Sequence, residues 1–245
     1  MTWFSDYLAP LSEAVPMTLA LTLVGAAGAL VVSFAAGLLR LSGNRVLRGI
    51  SRAYVEFFRG TSLLVQLFWM TTALTQIAGF RLWLFPAATL TLALSYGAYG
   101  SEVVRGSIQA VPKAQWEATT ALSLSPVDRM RRVIIPQAWP LMLPSFGNLF
   151  IELMKGTALV YLIAMTDIFK VAQDLRAEAG TAGASTAILT VTLLVYFVIG
   201  LVLVQLMRMF ERRALANVGR PQPPLFGRVR WGFGKPAEQA IGGAQ

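Results

Sequence analysis

The sequence predicts an all-α, polytopic membrane protein with about five transmembrane helices. Three observations predict it. The chain of 245 residues is 56% apolar and only 13% charged. Its apolar residues gather into several charge-free runs of roughly 20 residues, the length of helix that crosses a bilayer. Nearly all its Lys and Arg residues lie between those runs. A helix satisfies its own backbone polar groups, which hydrocarbon requires.

Residues 1–14 carry Asp6 and Glu13 but no Lys or Arg. They lack the positive start of a secretory signal, so the first span is expected to be kept, with 1–14 outside the membrane. Val15 to Leu39 is the first span, where Gly25, Gly28 and Gly37 suit close helix packing in lipid. Arg40, Arg45, Arg48 and Arg52 follow at once. The second span is expected from Arg59 to Phe80, a short turn at Arg81, and the third span from Leu82 to Ser101. At the membrane edges, Glu56 with Arg59 and Glu102 with Arg105 stand three residues apart, the spacing of a helical salt bridge.

The segment 105–136 interrupts this apolar chain with five cations and two acids. Pro112 suits a first helical position, and Ala, Gln, Glu and Leu favour a helix to about Leu122. Ser125-Pro126 with Asp128 is a second helix start resembling a capping box. Pro136 is expected to end or kink that helix. Two short helices joined by a break suit docking: Ala118 and Ala121 let a partner approach, Glu117 offers a charged contact, and Trp116 and Leu122 can fill a groove. A solvated loop with incidental helicity is the alternative on composition alone.

The fourth span, Trp139 to Thr166, contains Pro140, Pro144, Asn148, Glu152 and Lys155. A charge at mid-bilayer costs about 2.5–3.5 kcal/mol on insertion scales, so such residues face a bundle interior or a cavity. Glu152 and Lys155 share a helical face and are expected to neutralise each other. Asp167 to Gly183 is polar, with Ile168, Val171, Ala172 and Leu175 at helical spacing, and reads as an amphipathic surface helix. Ala184 to Met207 is the fifth span. The tail at 211–245, with Pro221, Pro223 and Pro224, reads as largely unstructured.

The face bearing the first loop, segment 105–136 and the tail holds 17 Lys and Arg, against three on the other. That asymmetry puts the N-terminus outside and the C-terminus and segment 105–136 in the cytoplasm. The net charge of +9 is therefore an orientation signal and an attraction to membrane lipid, not a nucleic-acid footprint. Neither cysteine nor histidine occurs, which excludes disulfides and removes the commonest general base and metal ligand. No catalytic residue and no metal ligand set emerges. No Gly-x-x-x-x-Gly-Lys-Ser/Thr run surrounds any of the four lysines, so the chain has no phosphate-cradling loop.

Glu117-Ala118-Thr119, Ser123, Ile134 and Pro136 resemble the EAA loop of ABC importer permeases, with Thr119 for the second Ala and Ser123 near the usual Gly position. Phe58-Arg-Gly-Thr-Ser-Leu-Leu-Val-Gln-Leu-Phe68 is similar to the RGTPLLVQL segment of polar-amino-acid permeases, and the run from Glu102 to Ala118 resembles that family's lead into the loop. These matches span most of residues 15–210. Lys155-Gly-Thr157-Ala-Leu resembles the family's Lys-Asp-Thr-Ser-Leu. The runs around Gly97–Gly106 and Tyr54–Ser62 look most like the ectoine and hydroxyectoine branch.

The resemblance implies a type I ABC importer transmembrane domain at 15–210, with a coupling loop at 106–136 in which Trp116, Glu117, Ala118, Thr119, Ser123 and Pro136 meet the ATPase. It implies a bacterial inner-membrane permease for a polar amino acid or a related zwitterion such as ectoine, without cofactor of its own. The partners it implies are a cytoplasmic ABC ATPase homodimer carrying ATP and Mg, a second permease subunit in a homo- or heterodimer, and an external solute-binding protein. Glu152, Lys155 and Thr157 either line the solute route or form a structural pair closing the bundle. The competing classes are a secondary transporter, which would show an internal repeat and more spans, and a small channel, which gives no reason for the loop.

Overall fold

The computed structural model describes residues 2–73, 76, 77 and 83–217, and these residues form helices and connecting turns without a strand. The helices are α1 (Thr2–Arg40), α2 (Arg45–Gly60), α3 (Leu63–Phe68), α4 (Leu84–Gln109), α5 (Lys113–Ala121), α6 (Pro126–Asp128), α7 (Ile135–Gly156), α8 (Ile168–Ala179) and α9 (Ala182–Asn217). A π turn, Trp69–Ala73, extends α3; another, Arg129–Ile134, joins α6 to α7; a 3₁₀ stretch, Thr157–Ile163, extends α7.

By length and composition, three helical stretches can cross a membrane: Asp6–Arg40, Pro126–Ile163 and Ala182–Ala216. Helix α4 is long enough as well, at about 39 Å for its 26 residues. It is less apolar because much of it faces protein rather than lipid. Its buried positions include Ala87, Ala88, Ala93, Ser95, Gly97, Ala98, Gly100 and Ser101. Small side chains let α1 lie directly against it: a Cβ at Gly28 would stand 2.7 Å from that of Ala93, and one at Gly37 would stand 2.8 Å from that of Val104. The Ser33 hydroxyl donates to the Ala29 carbonyl at 2.5 Å and to Gly97 at 3.3 Å, a cross-helix bond between the two.

Helix α4 runs past the expected end of the third span at Ser101, to Gln109, and four further boundaries differ from the sequence expectation. Helix α1 starts at Thr2 rather than near Val15, and is about 58 Å long. Tyr7, Leu8, Leu11, Ala14 and Val15 recur at helical spacing and pack into a cluster with Ile168, Ala172, Ile188 and Val191, so residues before 15 belong to the bundle. The expected second span is broken at Thr61 and Ser62, both extended, with α2 ahead of it as a separate amphipathic helix. The Gln66 side-chain amide patches the break, donating to the Phe58 carbonyl at 3.0 Å and to Thr61 Oγ1 at 2.7 Å. Residues 74, 75 and 78–80 of that span, and the turn at Arg81, lie outside the described residues. Helix α9 overruns Met207 to Asn217, through the helix formers Glu211, Arg212, Arg213, Ala214 and Leu215; residues 218–245 of the expected tail lie outside the described residues.

The last difference is Pro136. Of the two expected roles it does not end the helix: it sits as the second residue of α7, two positions beyond the last residue of the π turn. A π turn is where a helix absorbs irregular hydrogen bonding. The chain is consequently helical from Pro126 to Ile163.

Candidate functional site

Segment 105–136 folds as a helix, a tight turn and a second helix start. Pro112 is the residue before α5, at φ −54° and ψ 138°, one position earlier than expected. Helix α5 ends through paired bonds: the Ser123 N–H donates to the Thr120 carbonyl at 2.9 Å and the Leu124 N–H to the Thr119 carbonyl at 3.1 Å. This is a Schellman cap, which requires a left-handed residue after the helix. Ser123 supplies it at φ 53°. A glycine takes that conformation without strain, so the residue near the resembled motif's Gly position does the work of a glycine.

The next helix starts as its sequence predicts. Ser125 Oγ accepts the Asp128 N–H at 3.1 Å and donates to Asp128 Oδ2 at 2.8 Å, with Pro126 at the first helical position. Arg132 pairs with Asp128 at 2.9 Å on the exposed surface.

The faces of α5 divide differently from the expectation. Trp116 is half-buried, packed on one side against the cluster of Val104, Ile108, Val111, Ile134, Ala138 and Met142. Thr119 is buried, its hydroxyl donating to the Trp116 carbonyl at 2.7 Å. Gln137 donates to Gln115 Oε1 at 3.0 Å, tying α5 to α7. Glu117 and Ala118 face outward, together with Leu122 at 73% and Val127 at 74% exposure. The two apolar side chains lie either side of the turn and form its outward tip.

Behind this segment, Glu102 gathers three arginines from three helices. Arg105 Nε lies 2.9 Å from one oxygen; Arg40, ending α1, and Arg59, ending α2, reach the other, the latter at 3.5 Å. The Glu102–Arg105 pair agrees with its spacing. Arg59 does not pair with Glu56, which Arg52 takes instead from one full turn away at 2.7 Å. Arg59 also stands over the Tyr99 ring, 5.3 Å from its centroid. Sequence spacing signals pairs within a helix only, so this knot between helices had no local signal.

Glu152 and Lys155 are both exposed at the end of α7 and form no ion pair with each other. An exposed pair at this spacing is worth only a few tenths of a kcal/mol, too little to hold two flexible side chains together. Thr157 is buried and its hydroxyl donates to the Met154 carbonyl at 2.7 Å, so it does not share their face. The Tyr96 hydroxyl donates to the Glu152 carbonyl at 2.9 Å, and a Cβ at Gly156 would meet the Tyr96 ring at 3.3 Å. An acid at position 156 would require Tyr96 to move. Among the described residues no group of three or more acidic side chains is placed to hold a metal ion.

A family model described as "binding-protein-dependent transport system inner membrane component" matches residues 28–215. A probable amino-acid ABC transporter permease, y4tF of Sinorhizobium fredii, is 46% identical over 86% of this chain and 89% of its own length. The glutamine transport system permease GlnP of Escherichia coli is 33% identical over 83% of this chain and 92% of its own. The L-cystine permease TcyB of Bacillus subtilis is 37% identical over 69% and 71%. A crystal structure of an amino acid ABC transporter with histidines superposes with a TM-score of 0.77 at 32% identity, covering 85% of this chain and 96% of that one. An inward-facing methionine transporter MetNI shares the fold at 21% identity and a TM-score of 0.68, covering 82% of this chain and 95% of that one.

Proposed function

From the premise that this chain belongs to the family of binding-protein-dependent transport system inner membrane components, we propose that it carries a polar amino acid or a related zwitterion such as ectoine across the inner membrane. The chain itself is not an enzyme; it has the type I ABC importer fold, and ATP hydrolysis belongs to a separate subunit. In this reading a cytoplasmic ATPase pair receives the outward tip of segment 105–136, with Glu117 and Ala118 against the ATPase surface and Leu122 in a groove. Trp116, Thr119 and Ser123 shape the segment from within, and Pro136 lies where it joins α7. A solute-binding protein delivers cargo on the opposite, N-terminal face. Two such subunits, identical or related, enclose the path, and the exposed Glu152 and Lys155 line it on α7.

The observation that carries the proposal is mechanical. The outward tip is continuous with 38 residues of helix, Pro126–Ile163, and α5 is pinned to that helix through Gln115 and Gln137. A push on the tip is thereby delivered to a membrane span instead of dissipating in a flexible loop. The secondary-transporter and channel readings leave the tip without a purpose. The test is reconstitution of the chain into liposomes, with solute and its binding protein supplied to the N-terminal face, with and without its ATPase. ATP-dependent accumulation of solute is expected only when both are present; accumulation by the chain alone would overturn the proposal.

A further inference from the structure

We propose that the groove between α1, α7 and α9 binds an anionic phospholipid, one acyl chain lying along its aromatic wall and the phosphate on Arg213. The groove has a volume of 610 Å³ and is lined by Leu30, Trp139, Phe146, Phe150 and Phe210 among others, with Arg213 the one charged residue among its described lining residues. That volume is in the range of well-formed small-molecule pockets. With so few polar groups on its wall, water has little to bond to there.

The wall is built. Trp139 stacks on Phe34 at 5.9 Å between ring centroids, Phe34 on Phe146 at 6.3 Å and Phe146 on Phe150 at 5.8 Å. The floor is closed where α7 meets α9, since a Cβ at Gly147 would stand 3.3 Å from that of Met207. The groove's length along α7, from Ile135 to Phe150, is about 22 Å at helical rise, close to one leaflet with its headgroup region. A protein helix is too wide for a groove of this volume; a single hydrocarbon chain is not.

Charge selects the headgroup. Arg213 sits at the end of the groove formed by Ile135, Pro136 and Ala214, the same end of the bundle that bears the basic segment 105–136 and the arginines closing α9. Phosphate with a net negative headgroup complements that end. The orientation proposed above fixes only which leaflet supplies the lipid. Ile135 and Pro136 open α7, so a bound chain would touch the junction through which the docking segment joins the bundle.

The test uses the full chain in phosphatidylcholine vesicles holding a minority of phosphatidylglycerol brominated along its acyl chains, present in both leaflets so that orientation does not matter. Quenching of Trp139 is read as the difference between wild type and Trp139→Phe. The expected local enrichment of the anionic lipid is about fivefold over its bulk fraction. Arg213→Gln should remove the enrichment, Arg213→Lys should retain part of it, and brominated phosphatidylcholine should show none. Quenching that follows bulk composition whichever headgroup carries the bromine would overturn the proposal. So would a folded protein whose Trp139 is not quenched at all, because a second copy or residues 218–245 would then cover the groove.

Discussion

The two polar interruptions of this chain, 105–136 and 164–181, use the same local devices to opposite ends. Each holds a non-glycine residue in the left-handed region, Ser123 at φ 53° and Ala164 at φ 59°. Each then starts a helix with a side-chain cap: Ser125 accepts the Asp128 N–H at 3.1 Å, and Asp167 accepts the Lys170 N–H at 2.8 Å. The difference is where the capping group points. Ser125 is exposed, and its helix leaves apolar and acidic side chains in water. Asp167 is fully buried, also accepting the Tyr196 hydroxyl at 3.3 Å, while the Ile168 N–H donates to Thr18 Oγ1 at 3.3 Å. One interruption keeps its surface available; the other locks α8 against α1 and α9. Turn chemistry sets the geometry of each segment, and burial of the cap decides whether it can receive a partner.

Charge reversal at the exposed tip is expected to cost the most activity. Glu117→Lys reverses the charge at the tip without touching the bundle, so solute uptake in proteoliposomes should fall to background while the circular dichroism spectrum is unchanged. Uptake at the wild-type rate would remove Glu117 from the contact.

Next in size is the buried cap. Asp167→Ala removes a cap and leaves the Tyr196 hydroxyl and backbone amides without their acceptor, a loss of about 3 kcal/mol in the stability of the detergent-solubilised protein. Burial pushes the Asp167 carboxyl up to about 6 from its ordinary 3.8, against the amides of Lys170 and Phe169 and the Tyr196 hydroxyl, which favour the anion. A raised carboxyl favours the fold when protonated. Its contribution, about 3 kcal/mol for this gap, is full below pH 3.8 and is lost as pH rises through about 6. Subtracting the pH–melting profile of Asp167→Asn from that of the wild type should isolate this trend; two parallel profiles would refute it.

The smallest effects sharpen the exposed side. Ser125→Ala should cost about 1 kcal/mol through loss of the cap. Ser123→Gly should gain about 1 kcal/mol by releasing the left-handed strain, with transport retained. A destabilised Ser123→Gly variant would mean that the serine side chain, not its backbone, shapes the turn.

Much of this was legible in the sequence, because it is local. The Ser125–Asp128 cap, the Glu102–Arg105 pair and the close packing at Gly28 each follow from spacing or residue size within one or two turns. What escaped depends on neighbours that spacing does not name. A nine-residue helix has two faces, and only the cluster around Ile134 decides on which side Trp116 packs. Arg59 has Glu56 at a permitted spacing, yet Arg52 offers that acid a better one, and the fold brings Glu102 to Arg59 instead. The helical start at Thr2 was hidden because residues 1–14 are polar enough to read as a tail until α8 and α9 supply the surface that buries Leu11 and Ala14.

In the proposed function, movement of the tip reaches the bundle through the continuous helix from Pro126 to Ile163. Replacing Arg131 by glycine loosens the π turn within that helix by about 1 kcal/mol and leaves the Asp128–Arg132 pair beside the tip in place. ATP hydrolysis and solute uptake measured on the same proteoliposomes should separate, with hydrolysis continuing and uptake per ATP falling severalfold. An unchanged ratio of uptake to hydrolysis would contradict the account.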